Sequence, residues 1–400
     1  MESVAEIRFE DKDLFERWSR VREDFWGDLK KETVRALGRL LESSLEVEVQ
    51  DLIGSGRWEH NSGRWTYRNG WYERGLMTGL GYIERLRVPR VREGGIRWKT
   101  IPRYKRRSKD VDDMVIEMFL AGVSTRRVEE VLRPLMGQGA ISAGSVSQIT
   151  KRLDSLVRKF HDRAIRDEYV YLILDGIFLN AKSPAVKKRR CILVVYGVKR
   201  DGKREMIDFY LAPKGESQNA WEHFLNKLYY RGLEGKHLRL VVIDGNEGLK
   251  NAIELVYPGV EKQRCWAHKL RNVANKVPKK LQEVCINGAR DIYGAGSYKE
   301  AVWNFKEWAR IWRPVVPEAV ECLEEDIEEL LNFFGCPEED WRRLRTTNII
   351  ERVFREVRRR TRPMSCFQNR ESVERIIFAI FYRLNQKWEN RPLFKITQNS

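Results

Sequence analysis

The sequence predicts an α/β protein built around a mixed β-sheet, and two apolar segments carry that prediction. Residues 169–176 and 238–245 are runs rich in Val, Ile and Leu, and each ends on Asp-Gly. Such runs, bounded by turn residues, are typical of strands buried in a parallel sheet. Functional groups of open α/β sheets gather at the carboxyl ends of parallel strands, so we expect Asp175 and Asp244 to meet there. For either aspartate alone, ordinary Asp-Gly turn chemistry is the alternative.

The segments between and after these two runs predict the topology. Residues 191–198 and 205–211 are predicted strands joined by an Asp-Gly turn, followed by a helix over residues 219–230. A second helix is predicted over residues 249–256, before a final strand. Three antiparallel strands, a crossover helix and a fourth strand parallel to the first match the ribonuclease H-like arrangement, a mixed five-stranded sheet. That topology brings Asp175 and Asp244 side by side.

Changes in composition divide the chain into six predicted regions. They are an N-terminal helical region (1–56), a basic β-hairpin region (57–107), a helix-turn-helix-like DNA-binding region (108–153), the first part of the catalytic core (154–275), a helical insertion (276–345) and the C-terminal helices of the core (346–400). The helical and small β regions at the start are therefore expected to precede the sheet.

The first two regions differ in their residue patterns. Apolar positions at helical spacing predict two helices over residues 1–56, packed on the rest of the chain or on a second copy. Asn69-Gly70 lies between aromatic-rich segments and predicts a hairpin turn, with short basic strands over residues 82–88 and 97–107. Arginines interleaved with Trp and Tyr suit nucleic-acid contacts. A small β subdomain with solvated arginines is the alternative.

Three short helices are predicted over residues 108–153. The first ends near Gly122, Ser124 is placed to cap the second, and Ser142 or Ser145 to cap the third. Three such helices resemble a helix-turn-helix unit, which would contact DNA. A trihelical unit that binds nothing is the alternative.

Charge and cysteine usage restrict the class of protein. Lys and Arg number 75 against 58 Asp and Glu, a formal net charge of +17. This balance indicates a polyanionic partner, most commonly nucleic acid, and a basic surface without a partner is the alternative. The six cysteines form no Cys-x-x-Cys pair, which fits a reducing cytosol. With no signal-peptide pattern and no long apolar stretch, we expect a cytoplasmic, nucleoid-associated protein that makes no membrane contact.

Glu351 is the candidate for a third acid. Asn348 as N-cap with Glu351 three residues later would form a capping box, which by itself would explain this glutamate. On a helical wheel, however, Glu351 lies at the margin of an apolar stripe, where a carboxylate can reach the sheet edge. Clustered arginines on this helix repel one another unless a polyanion is near, so they are predicted to bind DNA. The predicted DNA-binding residues are Arg271, Arg352, Arg355, Arg358, Arg359 and Arg360.

The combined pattern resembles the DDE transposases of the Mutator-type insertion-sequence family. The resemblance runs from about residue 60 to the C-terminus and rests on YLILDGIF (171–178), VIDGNEGLK (242–250), QRCWAHKLRN (263–272) and RTTNIIER (345–352), with RNGWYER (68–74) and GVSTR (122–126) upstream. It implies Asp175, Asp244 and Glu351 as the catalytic, metal-binding triad, with the insertion before the third acid. Gly176, Gly245, Asn246 and Thr346 depart from the family's usual residues, and none of these departures removes a carboxylate.

Cys265-x-x-His268 is the remaining motif of the family. It supplies half of a tetrahedral zinc site, and no second pair stands at suitable spacing. Three interpretations stay open: a buried thiol ending a strand with a histidine satisfied by the backbone, a histidine near the scissile phosphate, and zinc ligation.

The three acids imply metal-dependent phosphoryl transfer. Two Mg²⁺ or Mn²⁺ ions, about 3.5–4 Å apart, would activate a water or a DNA 3′-OH and stabilise the leaving oxygen. The predicted function is a DNA transposase that acts on double-stranded DNA, namely the terminal inverted repeats and a target. Joining two DNA ends calls for a homodimer or a higher homo-oligomer. An inactive DNA-binding regulator and a ribonuclease H-like nuclease without strand transfer are the alternatives.

Overall fold

A computed structural model of the chain describes residues 25–59, 62–64, 66–101, 105–136, 141–182, 187–362 and 369–389. The predicted N-terminal apolar stripe of Phe15, Trp18 and Val21 lies outside these residues. The described residues divide into two units. The first holds those up to Phe119 together with Val123–Thr150, and the second holds Leu120–Gly122 and those from Lys151 onward.

In the first unit, a long helix packs on a β-hairpin. Helix α1 spans Phe25–Ile53, and strands β1 (Arg68–Thr78) and β2 (Gly81–Val91) pair antiparallel. Of the two helices predicted over residues 1–56, the described residues hold α1, which continues without a break from Phe25 to Ile53. The buried side chains that join helix and hairpin include Leu45, Val49, Ile53, Leu76, Leu86 and Val88.

The hairpin turn predicted at Asn69-Gly70 is wrong. Both residues lie inside β1, where Gly70 has a φ of 65° and the pairing register with β2 shifts. The chain reverses instead at Gly79-Leu80. A glycine with positive φ suits a bulge as well as a tight turn, so the dipeptide does not distinguish the two.

The other strands predicted in this region have mixed outcomes. Residues 82–88 lie within β2, as predicted. The described part of residues 97–107 forms no strand beyond one isolated bridge, between Met77 and Arg107, so the predicted third basic strand is wrong.

Three helices follow, as predicted for residues 108–153. They are α2 (Lys109–Ala121), α3 (Thr125–Met136) and α4 (Ala143–Thr150). The hydroxyl of Ser124 accepts the Arg127 N–H at 3.4 Å at the start of α3, and that of Ser142 accepts the Ser145 N–H at 3.1 Å at the start of α4. These bonds satisfy first-turn donors and define both helix starts.

The second unit contains a mixed five-stranded sheet. After α5 (Leu153–Asp162), its strands are β3 (Tyr169–Lys182), β4 (Lys187–Lys199), β5 (Arg204–Ala212), β6 (Leu240–Ile243) and β7 (Glu261–Arg264). Their order is β5-β4-β3-β6-β7. The first three strands are antiparallel, β6 is parallel to β3, and β7 is parallel to β6. The predicted meander and parallel fourth strand are therefore confirmed.

Strand β3 is longer than predicted and does not end at Asp175. It pairs with β4 through Lys182, whereas its pairing with β6 covers Tyr171–Ile173. The predicted turn at Asp175-Gly176 is wrong because the antiparallel partner β4 continues the ladder past this point. Asp175 lies instead where the parallel neighbour has ended, since Asp244 directly follows β6.

Two crossover helices form the core with one face of this sheet. Helix α6 (Gln218–Tyr230) connects β5 to β6, and α7 (Glu247–Val256) connects β6 to β7. Ser217 caps α6, and Asn246 caps α7. The large buried side chains shared by helices and strands include Trp221, Phe224, Leu228, Leu172, Leu174, Val241 and Ile253.

The rest of the second unit is helical, as predicted. After α8 (Trp266–Asn275), the insertion contains α9 (Lys279–Gly294), α10 (Tyr298–Trp312), α11 (Pro317–Glu324), α12 (Ile327–Leu331), a 3₁₀ turn (Asn332–Gly335) and α13 (Glu338–Leu344); α14 (Asn348–Thr361) and α15 (Arg370–Glu389) follow. Trp308 and Trp312 are buried, whereas Trp303 is 62% exposed. No helix in the described ranges is long and apolar enough to cross a membrane.

Candidate functional site

Asp175 and Asp244 form the centre of the candidate site. Asp175 is 7% exposed, and its Oδ1 accepts the Gly176 N–H at 2.7 Å. Asp244 is half-buried, and its Oδ1 accepts the Asn246 N–H at 3.0 Å. Burial and then the neighbouring Asp244 carboxylate raise the pKa of Asp175 to about 7, against the opposing effects of His268 and the Gly176 N–H. The structure thus brings the two aspartates together in a place where their like charges are unfavourable.

Glu216 is a further carboxylate whose charge acts on Asp175, and it belongs to none of the sequence motifs described above. It lies between β5 and α6, and its Oε1 accepts the Trp221 Nε1–H at 3.0 Å. Burial and the charge of Asp244 raise the pKa of Glu216, although the Trp221 bond opposes them. In the sequence, only its position marks this glutamate: it is an acidic residue in the short connection between a predicted strand and a predicted helix.

Two glycines allow close approaches at the site. A β-carbon on Gly176 would lie 2.8 Å from the Glu216 Oε2. A β-carbon on Gly245, whose φ is 99°, would lie 2.5 Å from the Arg264 Cζ. Arg264 in turn donates to Asp326 at 2.6 Å, within the helical insertion. A side chain at Gly176 would clash with Glu216, and one at Gly245 would clash with Arg264, which explains why a glycine follows each aspartate.

Glu351 lies in the first turn of α14. Its Oε1 accepts from the Arg271 Nη2 at 3.2 Å and lies 3.8 Å from the His268 Nε2. The capping box is wrong: Thr347, not Asn348, precedes the helix, and no side chain caps its N-terminus. The predicted apolar stripe is buried, with Glu351 at its half-exposed margin. The carboxylate faces Arg271 and His268 instead of closing its own helix.

Cys265 and His268 connect this helix to the sheet. Cys265 directly follows β7, is fully buried, and its Sγ accepts the Thr347 N–H at 3.2 Å and the Thr347 Oγ1–H at 3.3 Å. Burial would raise the pKa of Cys265, but hydrogen bonding and charge from His268, with the Thr347 bonds, hold it below its usual range. The Cys265 hydrogen bond, followed by the charges of Cys265, Asp175 and Asp244, raises the pKa of His268 against desolvation.

These contacts can be compared with the three interpretations of the Cys265-x-x-His268 motif. The thiol is buried at a strand end, as the structural interpretation predicts. The histidine, however, contacts side chains, namely Cys265, Thr347 at 3.5 Å and Glu351. Within the described ranges, no three His, Cys, Asp or Glu side chains are grouped to hold a metal ion.

The predicted DNA-binding arginines fall into two groups. Arg352, Arg355 and Arg358 are exposed on α14. Arg359 is exposed but bonds Glu356 at 2.7 Å, and Arg360 is buried and bonds both Glu356 and the Leu120 carbonyl. Arg271 is exposed and pairs with Glu351. The exposed face of α14 thus presents positive charge beside the third predicted acid.

The arrangement of these groups limits the chemistry of the site. Asp175 and Asp244 offer closely spaced carboxylate oxygens, the ligand type that hard divalent cations take. The charge that affects Asp175 most is another carboxylate, that of Asp244, and the opposing charge of His268 has a smaller effect. Buried carboxylates usually have a closely paired cation instead. The exposed arginines of α14 lie on the same helix as Glu351, the third predicted acid. These features are typical of a site for phosphoryl transfer on a polyanion.

Known proteins resemble this chain over most of its length. The family model for "Transposase, Mutator family" matches residues 12–391. The transposase for insertion sequence element ISRM5 of Rhizobium meliloti is 34% identical over 90% of this chain and 88% of its own length. The transposase for IS905 of Lactococcus lactis is 31% identical (89% and 88%), and that for IS256 in transposon Tn4001 of Staphylococcus aureus is 31% identical (86% and 87%). The chain belongs to the Mutator family of transposases.

Proposed function

We propose that this chain is a DDE transposase with a ribonuclease H-like core, which binds the terminal inverted repeats of its element and cleaves and joins DNA strands with divalent metal. The observation that carries the proposal is the buried Asp175 beside Asp244, whose repulsion outweighs the opposing charge of His268. The strand order and directions of the sheet support the ribonuclease H-like assignment. Family membership supports action on DNA.

Asp175 and Asp244 would hold the metal, with Glu351 as the third carboxylate. The fit rests on their oxygen donors and on the like charges that a cation would neutralise. Two bound Mg²⁺ or Mn²⁺ ions would supply activation of the attacking oxygen and charge neutralisation at the leaving oxygen. Arg271 contacts one oxygen of Glu351, Oε1, so the carboxylate could bind a metal through Oε2 while this pair is kept, and Arg271 could also exchange its partner when DNA binds. A DNA phosphate is a suitable new partner for that guanidinium.

The chain's own residues would bind and orient the DNA. The exposed Arg352, Arg355 and Arg358 would contact phosphates beside the acids, while the hairpin and the three helices of the first unit would bind the repeats. Because two DNA ends must be joined, the working form would be a homodimer or a higher oligomer. It would act on DNA of the nucleoid in the cytoplasm.

The decisive experiment compares wild type with Glu351→Gln in Mg²⁺-dependent cleavage and joining of DNA that carries the element's own ends. We expect cleavage in the wild type and a loss of at least about 1,000-fold in the variant, since a carboxylate is replaced by an isosteric amide. Binding of the same DNA should be unchanged. Glu321→Gln is the matched control, because Glu321 is exposed on α11 and is not among the candidate acids.

Other outcomes would each change the proposal. Equal cleavage by wild type and Glu351→Gln would contradict Glu351 as the third acid and direct the search to Glu247 or Glu356. Tight DNA binding without cleavage by either protein would favour the regulator. Cleavage without joining of a 3′-OH donor would favour the nuclease.

A further inference from the structure

The contact between Cys265 and Thr347 links the two halves of the candidate site. Both residues are fully buried, and the sulfur accepts two hydrogen bonds from the same threonine, one from its N–H and one from its hydroxyl. The first bond satisfies a backbone donor at the start of α14, where no side chain caps the helix. The sulfur therefore accepts the N–H of the N-cap residue, a donor that the Glu or Gln side chain of a capping box would otherwise satisfy.

Backbone hydrogen bonds extend this contact to two of the proposed catalytic acids. The Cys265 N–H donates to the Ile243 carbonyl at 2.8 Å, and Ile243 directly precedes Asp244. At the other end, the Glu351 N–H donates to the Thr347 carbonyl at 3.1 Å. A continuous series of hydrogen bonds thus runs from the residue before Asp244 to Glu351, and the Cys265–Thr347 pair is its side-chain link.

A second contact holds the same segment. The Trp266 N–H donates to the Arg345 carbonyl at 3.0 Å, two residues before Thr347. The chain segment that leads into α14 is therefore held at the end of β7, although the whole helical insertion separates them in sequence. Without such links the insertion's own packing would determine where α14 begins.

The position of α14 matters because Glu351 lies in its first turn. A displacement of about 1 Å between catalytic groups can lower rates by about 100-fold. Precise sites therefore need neighbouring residues that hold the functional side chains in place. The contacts of Cys265 suit a holding role, since the residue is fully buried and its sulfur accepts both Thr347 bonds.

We propose that Cys265 and Thr347 are a positioning pair, which sets the distance between Glu351 and Asp244. This inference rests on the proposed function, because it assigns those two carboxylates to one site. It gives the cysteine of the Cys-x-x-His motif a role that requires neither zinc nor thiol chemistry.

The test uses the full chain and two substitutions of opposite design at Thr347. Thr347→Val keeps the side-chain shape and removes the hydroxyl donor, whereas Thr347→Ser keeps the donor. We expect Thr347→Val to lower the cleavage rate at saturating DNA by about 10- to 100-fold with DNA affinity unchanged, and Thr347→Ser to retain most of the wild-type rate. Cys265→Ala removes the acceptor of both bonds and should lower the rate at least as much, and the double variant Cys265→Ala/Thr347→Val should lower it no further than Cys265→Ala.

A readout without DNA separates positioning from general stability. Mn²⁺ binding, followed by the electron paramagnetic resonance signal of the free ion, should weaken in Thr347→Val and in Glu351→Gln alike. Cys285→Ala is the matched control, because Cys285 is also fully buried, on α9, away from this link. It should change the melting temperature without changing Mn²⁺ affinity or the cleavage rate of the folded protein.

Two results would overturn the inference. The first is wild-type cleavage and Mn²⁺ affinity in Thr347→Val while Glu351→Gln loses both, which would leave the proposed function standing. The second is an equal loss in Cys285→Ala, which would make the effect one of general stability. Wild-type cleavage in Glu351→Gln would instead contradict the acid triad itself.

Discussion

Two buried aspartates in one sheet have opposite surroundings. Asp208 on β5 is 1% exposed and is surrounded by donors: the His161 Nδ1 lies 2.7 Å from its Oδ1, the Arg231 guanidinium bonds its Oδ2, and the Phe209 N–H donates at 2.8 Å. Asp175 on β3 is almost as buried, yet it accepts one backbone N–H and faces Asp244.

The difference distinguishes a structural carboxylate from a functional one. A buried charge is tolerated when partners and hydrogen bonds compensate its lost hydration, as at Asp208. Where like charges are gathered instead, the folded state keeps an unfavourable arrangement that a ligand can relieve, as we propose for Asp175. Burial and residue type are the same at both positions, so the partners decide the role.

The largest effect on stability is expected at Asp208. Asp208→Asn removes the charge that pairs with Arg231 and leaves a buried guanidinium without its anion. We expect the free energy of unfolding to fall by about 3–5 kcal/mol, measured by urea denaturation at pH 7. A change below about 1 kcal/mol would mean that the pair contributes little and would remove the basis of the comparison.

Asp175→Asn is expected to act in the opposite direction in metal-free protein. A carboxyl whose folded pKa is raised from 3.8 to about 7 loses stability as pH rises between these values, because the unfolded chain releases its proton first. The variant should therefore be more stable than wild type at pH 8 in EDTA, by about 2–4 kcal/mol, with the difference vanishing near pH 4.

Thermal melts from pH 4 to pH 8 measure this effect. Added Mg²⁺ should raise the melting temperature of wild type and leave that of Asp175→Asn unchanged. A variant less stable than wild type at pH 8 would show that the Asp175 carboxylate is held by favourable partners, like Asp208.

The smallest effect is expected from Glu216. Glu216→Gln keeps an acceptor for the Trp221 Nε1–H and removes a charge that contributes less than Asp244 to the raised pKa of Asp175. The pH range in which wild type loses stability should shift downward, with a gain of about 0.5–1 kcal/mol at pH 8. Glu234→Gln, at an exposed pair with Lys236, should leave that pH range unchanged. An equal shift in both variants would indicate a general charge effect.

Local patterns were sufficient for the parts of the fold that depend on neighbours in sequence. The apolar runs predicted β3 and β6, and the crossover helix between them predicted their parallel pairing, because few connections satisfy the handedness and length of such a unit. The stripe on α14 predicted which of its residues are buried. The same local reasoning failed at Asn69-Gly70 and at Asp175-Gly176, where the residue types suit a turn but a partner strand continues.

The tertiary structure determines which residues distant in sequence become the charged neighbours of these carboxylates. Nothing local to Asp175 or Asp208 shows that one faces a carboxylate and the other an arginine, because Asp244 and Arg231 are brought in by other elements. Glu351 fits a capping box by spacing, yet Thr347 is the N-cap of α14, one residue before the predicted Asn348, and the Glu351 carboxylate pairs with Arg271. Spacing along a chain predicts which groups can be near a strand end, and packing determines which charges they meet there.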